Sequence, residues 1–175
     1  MELTLAGYFP KVTALPPAWP LPHVAEMCSV SNCLNKDPEG WVGHWLHNEL
    51  WLFNSPGDAR HAIGADPRAF EILAYRLAPL RFVDGRTEPW PVERVAVEPL
   101  PPEFQSLGFD AVSASHGPQF ECSPLSCNLM AAEIPVNRYC LMDTLDEAVA
   151  VAVRFSSEQP EPGPYHVVEV LRGKG

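Results

Sequence analysis

Positive charge is scarce in this chain. Its 175 residues carry 12 Lys and Arg against 22 Asp and Glu, a formal charge of −10. The basic residues form no dense stripe, and a surface this acidic repels phosphate backbones, so nucleic acid is not an expected partner. Long apolar runs are also missing. No stretch approaches the ~20 residues that a membrane span requires, so no membrane partner is expected. The first residues, MELTLAGYFPKV, lack a basic segment followed by an apolar one and do not read as a signal peptide. A cytoplasmic location with reduced thiols follows as the expectation, and five cysteines, an odd number, agree with it.

The common chemical signatures are absent as well. The chain has no Gly-rich phosphate loop, no G-x-G-x-x-G, no G-x-S-x-G, no H-E-x-x-H and no C-x2-C. Enzymes built on those motifs are therefore not the first expectation, although a site assembled from distant residues leaves no such mark.

Hydrophobic residues make up 46% and charged residues 19%, a globular balance in a length suited to one domain over residues 1–175. A chain of this size buries roughly two-thirds of its unfolded surface and needs no metal or disulfide to fold. Proline is in excess, with 20 residues spread along the chain. Lacking an amide donor and clashing inside helices, proline at this frequency predicts short elements and fixed turns.

Helix signals occur in four places, with that over DPRAFEILAYRLAP stronger than that over NSPGDARHAIG. In NSPGDARHAIG, Ser55 caps, Pro56 takes the first position and Gly64 stops the helix. In DTLDEAVAVAVRFSSE, Asp143 or Thr144 caps, and Thr144 with Glu147 has capping-box spacing. A third helix is expected over DPRAFEILAYRLAP, with Asp66 as cap and Phe70, Leu73, Ala74 and Leu77 on one face. A fourth is expected over SPLSCNLMAAEI, from Ser123 to Pro135. LTLAGYF, LRFV, VERVAVE, FDAVSAS, RYCLM and YHVVEVL read as strands, with DGR as a turn. The fold class expected is α+β: a mixed sheet of five to six short strands, two or three helices and a C-terminal βαβ unit, with α/β as the alternative. LWLFNSPGDARHAI and YCLMDTLDEAVAVA share a pattern of apolar run, cap and acidic helix start. Similar capping chemistry at two junctions is the simpler explanation, and internal duplication the second.

Few residues suggest chemistry. Cys28 and Cys33, and Cys122 and Cys127, form two C-x4-C pairs whose four thiolates could hold zinc. Pro124 and the helix pattern argue that Cys122 and Cys127 are kept apart, and buried cysteine most often serves as a small hydrophobe. Packing is therefore the expected role. Cys122 precedes a helix start, and with His116 or with Cys127 it is a candidate catalytic thiol. His44 and His47 share a face if they lie on a helix and are further metal candidates. Asn137 and Arg138 are expected to tie down a turn, and with Trp41 and Trp45 they are candidate binding residues.

The function expected first is a small acidic module that binds a protein with a basic surface, in the manner of an immunity protein or antitoxin inhibitor, without a cofactor. The alternative is a small hydrolase or transferase with a Cys/His site, with or without zinc. A homodimer through WVGHWLHNELWLF is a third possibility.

Overall fold

The computed structural model describes residues 1–30, 47–91, 96–115 and 122–173. Cys33, Trp41, His44, Trp45, His116 and the first part of VERVAVE lie outside the described residues.

Five strands form one antiparallel sheet. β1 (Thr4–Lys11), β2 (Glu71–Val83), β5 (Tyr165–Gly173) and β4 (Phe104–Ser113) lie side by side in that order, and β3 (Arg86–Pro89) continues the β1 edge along the far end of β2. Three helices accompany the sheet: α1 (Pro56–Ile63), the single turn α2 (Pro124–Cys127) and α3 (Leu145–Glu158). The class is α+β. The C-terminal strand–helix–strand order holds, but β4 and β5 pair antiparallel, so the expected parallel crossover is replaced by a long connection between antiparallel neighbours. Among the described strands every pairing is antiparallel, where a mixed sheet was expected.

The helices expected over NSPGDARHAIG and DTLDEAVAVAVRFSSE form as their caps require. Ser55 Oγ accepts the Asp58 amide at 2.9 Å, Pro56 sits in the first turn and Gly64 terminates α1 with φ +57°. Thr144 Oγ1 accepts the Glu147 amide, and Glu147 reaches back to the Thr144 amide at 3.0 Å, closing the capping box. α3 buries Ala148, Ala152 and Phe155 against Phe82, Tyr165 and Val167.

The expected helix over DPRAFEILAYRLAP is instead the long central strand β2. Leu73, Tyr75 and Leu77 point to one face, and both faces of this strand are covered, so its apolar residues mimic helical spacing. Asp66 does not cap a helix; its Oδ1 accepts the Arg68 amide at 3.1 Å in a local turn. SPLSCNLMAAEI breaks after one turn, because Leu129 takes a left-handed conformation (φ +56°) before the short 3₁₀ turn Met130–Ala132. RYCLM is a loop that joins the sheet through a bridge from Met142 to Phe109. DGR forms a turn as expected, with Asp84 and Gly85 both at positive φ, but it leads into β3 over RTEP, part of what the sequence reads as the connection to VERVAVE.

The two similar stretches share far more than capping. β1 and β4 each carry a bulge, at Ala6 and at Leu107, next to a glycine with large positive φ (Gly7 +149°, Gly108 +140°). Asn48 Nδ2 donates to the bulged Ala6 carbonyl at 2.9 Å, and Asn137 Nδ2 to the bulged Leu107 carbonyl at 2.8 Å. Each asparagine's Oδ1 accepts the amides two and four residues on: Leu50 and Leu52, or Tyr139 and Leu141. Trp51 and Cys140 occupy the same left-handed position in the two loops (φ +62° and +59°). Phe53 then bridges Tyr8, and Met142 bridges Phe109, before the capped helix begins.

The strand register is two-fold symmetric about the Tyr75–Val170 pair. Gly7 pairs with Tyr75 and Gly108 with Val170, while Arg76–Glu169 exchanges with Leu171–Ala74. The chain is thus two copies of one strand–clip–helix–strand unit. Shared capping chemistry, the simpler explanation from sequence, is insufficient.

Candidate functional site

At two positions the symmetry is broken by charge. Lys11 and Asp110 sit where the opposite unit has Val112 and Phe9, and both are buried. Around them lie Ser29, Ser123 and Ser126, each at most 2% exposed. Asp110 Oδ1 accepts from the Ser123 hydroxyl at 2.8 Å, and its Oδ2 from the Val30 amide at 2.7 Å. Lys11 Nζ donates to the Ser29 carbonyl at 2.6 Å, and Ser29 Oγ donates to Ser126 Oγ at 2.7 Å. A buried charge demands such partners, since each unsatisfied polar group costs about 1–3 kcal/mol.

Four segments build this cluster. β1 and β4 supply the charges, residues 27–30 supply Ser29 and the Val30 amide, and α2 with its N-cap supplies the hydroxyls of Ser126 and Ser123. The 25–28 stretch is anchored through backbone bonds from Ala25 and Glu26 to the Arg138 carbonyl and from Cys28 to the Tyr139 carbonyl. Burial raises the Asp110 carboxyl to about 6, against the opposing pull of Ser123, the Val30 amide and Lys11.

Cys122 and Cys127 are joined by a disulfide across α2. This corrects the expectation that Pro124 and the helix hold them apart: one turn of helix brings their Cα atoms to 6.5 Å, within bridging range. The two are therefore crosslinked here, where free packing thiols were expected. Cys28 and Cys140 do behave as packing residues. Both are buried free thiols, and desolvation pushes each up to about 12. Among the described residues no three His, Cys, Asp or Glu gather as a metal-ligand set. The four-cysteine zinc site as a whole includes Cys33 and lies partly outside the described residues, as does the His44 and His47 pair. His47 itself is half-buried, its ring stacked on Trp51 at 5.3 Å and 9°.

Asn137 is the clip of the second unit, and it also donates to Asp143 Oδ1 at 3.1 Å. Arg138 is exposed beside it. Its guanidinium covers one side of the Tyr139 environment at 5.5 Å, with Arg172 also 5.3 Å from that ring and paired with Glu26. Sequence reasoning did not find Lys11, Ser29, Ser123 or Ser126 as partners of Asp110. The one available signal was the disagreement between the two similar units, a lysine and an aspartate standing where the opposite unit has Val112 and Phe9.

A second buried titratable group is His166. It packs on Trp90 with ring centres 4.2 Å apart, and burial lowers it to about 4. Among the described residues no helix is long and apolar enough to cross a membrane. Comparison with protein-family models, curated proteins and solved structures finds no match to this chain.

Proposed function

We propose that this protein acts by binding another protein through a basic surface of that partner, as an immunity-type or antitoxin-type inhibitor does. The observation that carries this reading is the use of charge. Arg68, Arg76, Arg81, Arg154 and Arg172 each pair with a carboxylate of the same chain. These five are paired out of 12 basic residues, and the formal charge of the chain is −10. Exposed acids such as Glu49, Glu71 and Glu103 add to a field that speeds encounter with a positive partner and repels an acidic one. The buried Lys11–Asp110 cluster supports the same reading, because its hydrogen-bonding groups are satisfied within the fold.

The competing reading is a hydrolase or transferase using Cys122, Cys127, His44 and His47. It requires a thiolate, and the disulfide withholds both candidate sulfurs. Affinity capture from the cell of origin compares the chain with a Glu49→Gln, Glu71→Gln, Glu103→Gln variant. Recovery of one stoichiometric basic protein, weakened at least about tenfold by the variant, is the expected result. Equal recovery by both chains would count against the proposal.

A further inference from the structure

The disulfide brackets a segment that shares with residues 27–30 the task of satisfying the buried charges. The four residues between Cys122 and Cys127 include Ser123, bonded to Asp110 Oδ1, and Ser126, bonded to Ser29, whose carbonyl holds Lys11. Leu125 between them is fully buried. A single helical turn has no stability of its own, because nucleation fixes several residues for one or two hydrogen bonds. What keeps this turn on the cluster is the crosslink together with those side-chain contacts. The backbone agrees: Ser113 of β4 donates to the Cys122 carbonyl at 2.8 Å, extending the sheet edge to the first sulfur.

From this arrangement we infer that Cys122–Cys127 is a redox-controlled latch, which holds α2 over the Lys11–Asp110 pair when oxidised and releases it when reduced. The two sulfurs are unequal. Cys122 is 6% exposed, whereas Cys127 is half-buried and is the accessible point of attack. A thiolate of a dithiol reductant attacks Cys127 Sγ; the intramolecular S–S bond breaks as an intermolecular one forms, and Cys122 leaves as a thiolate. The reductant's second thiolate then displaces Cys127. The reductant ends as its own disulfide, and its two thiol protons end on Cys122 and Cys127. The partner residues of the latch then lose their fixed partners: Asp110 loses the donor hydroxyl of Ser123, and Ser29 loses the Ser126 hydroxyl that accepts its own. Cys140, which shares Ser29, lies within the same cluster. This inference is independent of the proposed partner binding.

Amide hydrogen exchange on the full chain, oxidised and after reduction by dithiothreitol, tests the latch, with thiol alkylation and peptide mass recording the state of each cysteine. In the oxidised protein the 122–127 peptide is internally linked. After reduction the Val30 and Ser113 amides exchange at least tenfold faster, while the α3 amides from Ala148 to Phe155 keep their protection. A Cys122→Ala, Cys127→Ala variant shows the fast pattern with or without reductant. Three results overturn the inference: cysteines 122 and 127 unlinked under oxidising conditions, Val30 and Ser113 protected alike in both states, or loss of α3 protection on reduction, which would make the bond a plain structural staple.

Discussion

Asn48 and Asn137 each do with one side chain what a turn would otherwise need several residues to do. The amide end of each closes a bulged strand carbonyl, and the carbonyl end organises a four-residue loop. Removing Asn137 leaves three backbone groups without that partner, so Asn137→Ala is expected to cost about 2–4 kcal/mol in urea unfolding. The adjoining glycines are equally constrained. A Cβ on Gly108 would stand 2.5 Å from the Met142 carbonyl oxygen and 2.9 Å from Leu141 Cβ, and on Gly7 2.7 Å from Leu52 Cβ and 2.8 Å from the Phe53 oxygen. Backbone cannot yield there as a flexible side chain does. Gly108→Ala should therefore destabilise by more than about 3 kcal/mol, and a smaller effect would mean the loop is looser than described. Titration belongs to the same scale. Asp110 is raised from 3.8 to about 6, so its contribution to stability is full below about 4 and is lost as pH rises through 6. His166 is lowered from 6.5 to about 4, so its contribution is present above 6.5 and is lost as pH falls through 4. The two windows overlap with opposite sign, each on the order of 3 kcal/mol. The intact chain should show little slope from these two groups between pH 4 and 6.5. His166→Phe should make stability fall with rising pH, and Asp110→Asn should make it rise; urea midpoints across the range give the answer, and slopes of the opposite sign would refute the assignment.

Elements were legible where their ends carry chemistry. α1 and α3 announce themselves through Ser55, Pro56 and Gly64 and through Thr144 and Glu147, because each cap satisfies an amide that the helix cannot. Thr144→Ala removes the cap and is expected to lower stability by about 1 kcal/mol, visible as earlier loss of helical signal. β2 resembles a helix in sequence for a physical reason. A strand covered on both faces needs no polar alternation, so Leu73, Ala74 and Leu77, with Phe70 just before the strand, fit a helical stripe as well as the strand that forms. α2 was overextended because nothing local forecasts the left-handed Leu129. The repeat was visible in outline, but its asparagine clips depend on bulges in strands 41 and 29 residues earlier, Gly7 to Asn48 and Gly108 to Asn137, and no spacing rule reveals them. The buried cluster was hidden for the same reason: Lys11, Ser29, Asp110 and Ser123 meet only once β1 and β4 are placed in one sheet. Across α2, replacing both cysteines by serine should cost about 2 kcal/mol, the loop entropy that a short crosslink removes from the unfolded chain.

On the scale of the molecule, two copies of one unit share a sheet, and the register turns about Tyr75 and Val170 with the Arg76–Glu169 ion pair beside that point. The core extends through both units, with β2 and β5 at its centre, so the symmetry organises stability. Function is proposed to lie outside it, in the charge that the arginine pairs leave uncompensated. Electrostatic recognition of this kind is sensitive to ionic strength, since exposed charges farther apart than about 8–10 Å are screened at physiological salt. The most direct test is the dissociation constant of the captured partner measured by calorimetry as salt is raised. The account predicts an affinity that falls steeply, by at least about tenfold, mainly through slower association. An affinity indifferent to salt would contradict it.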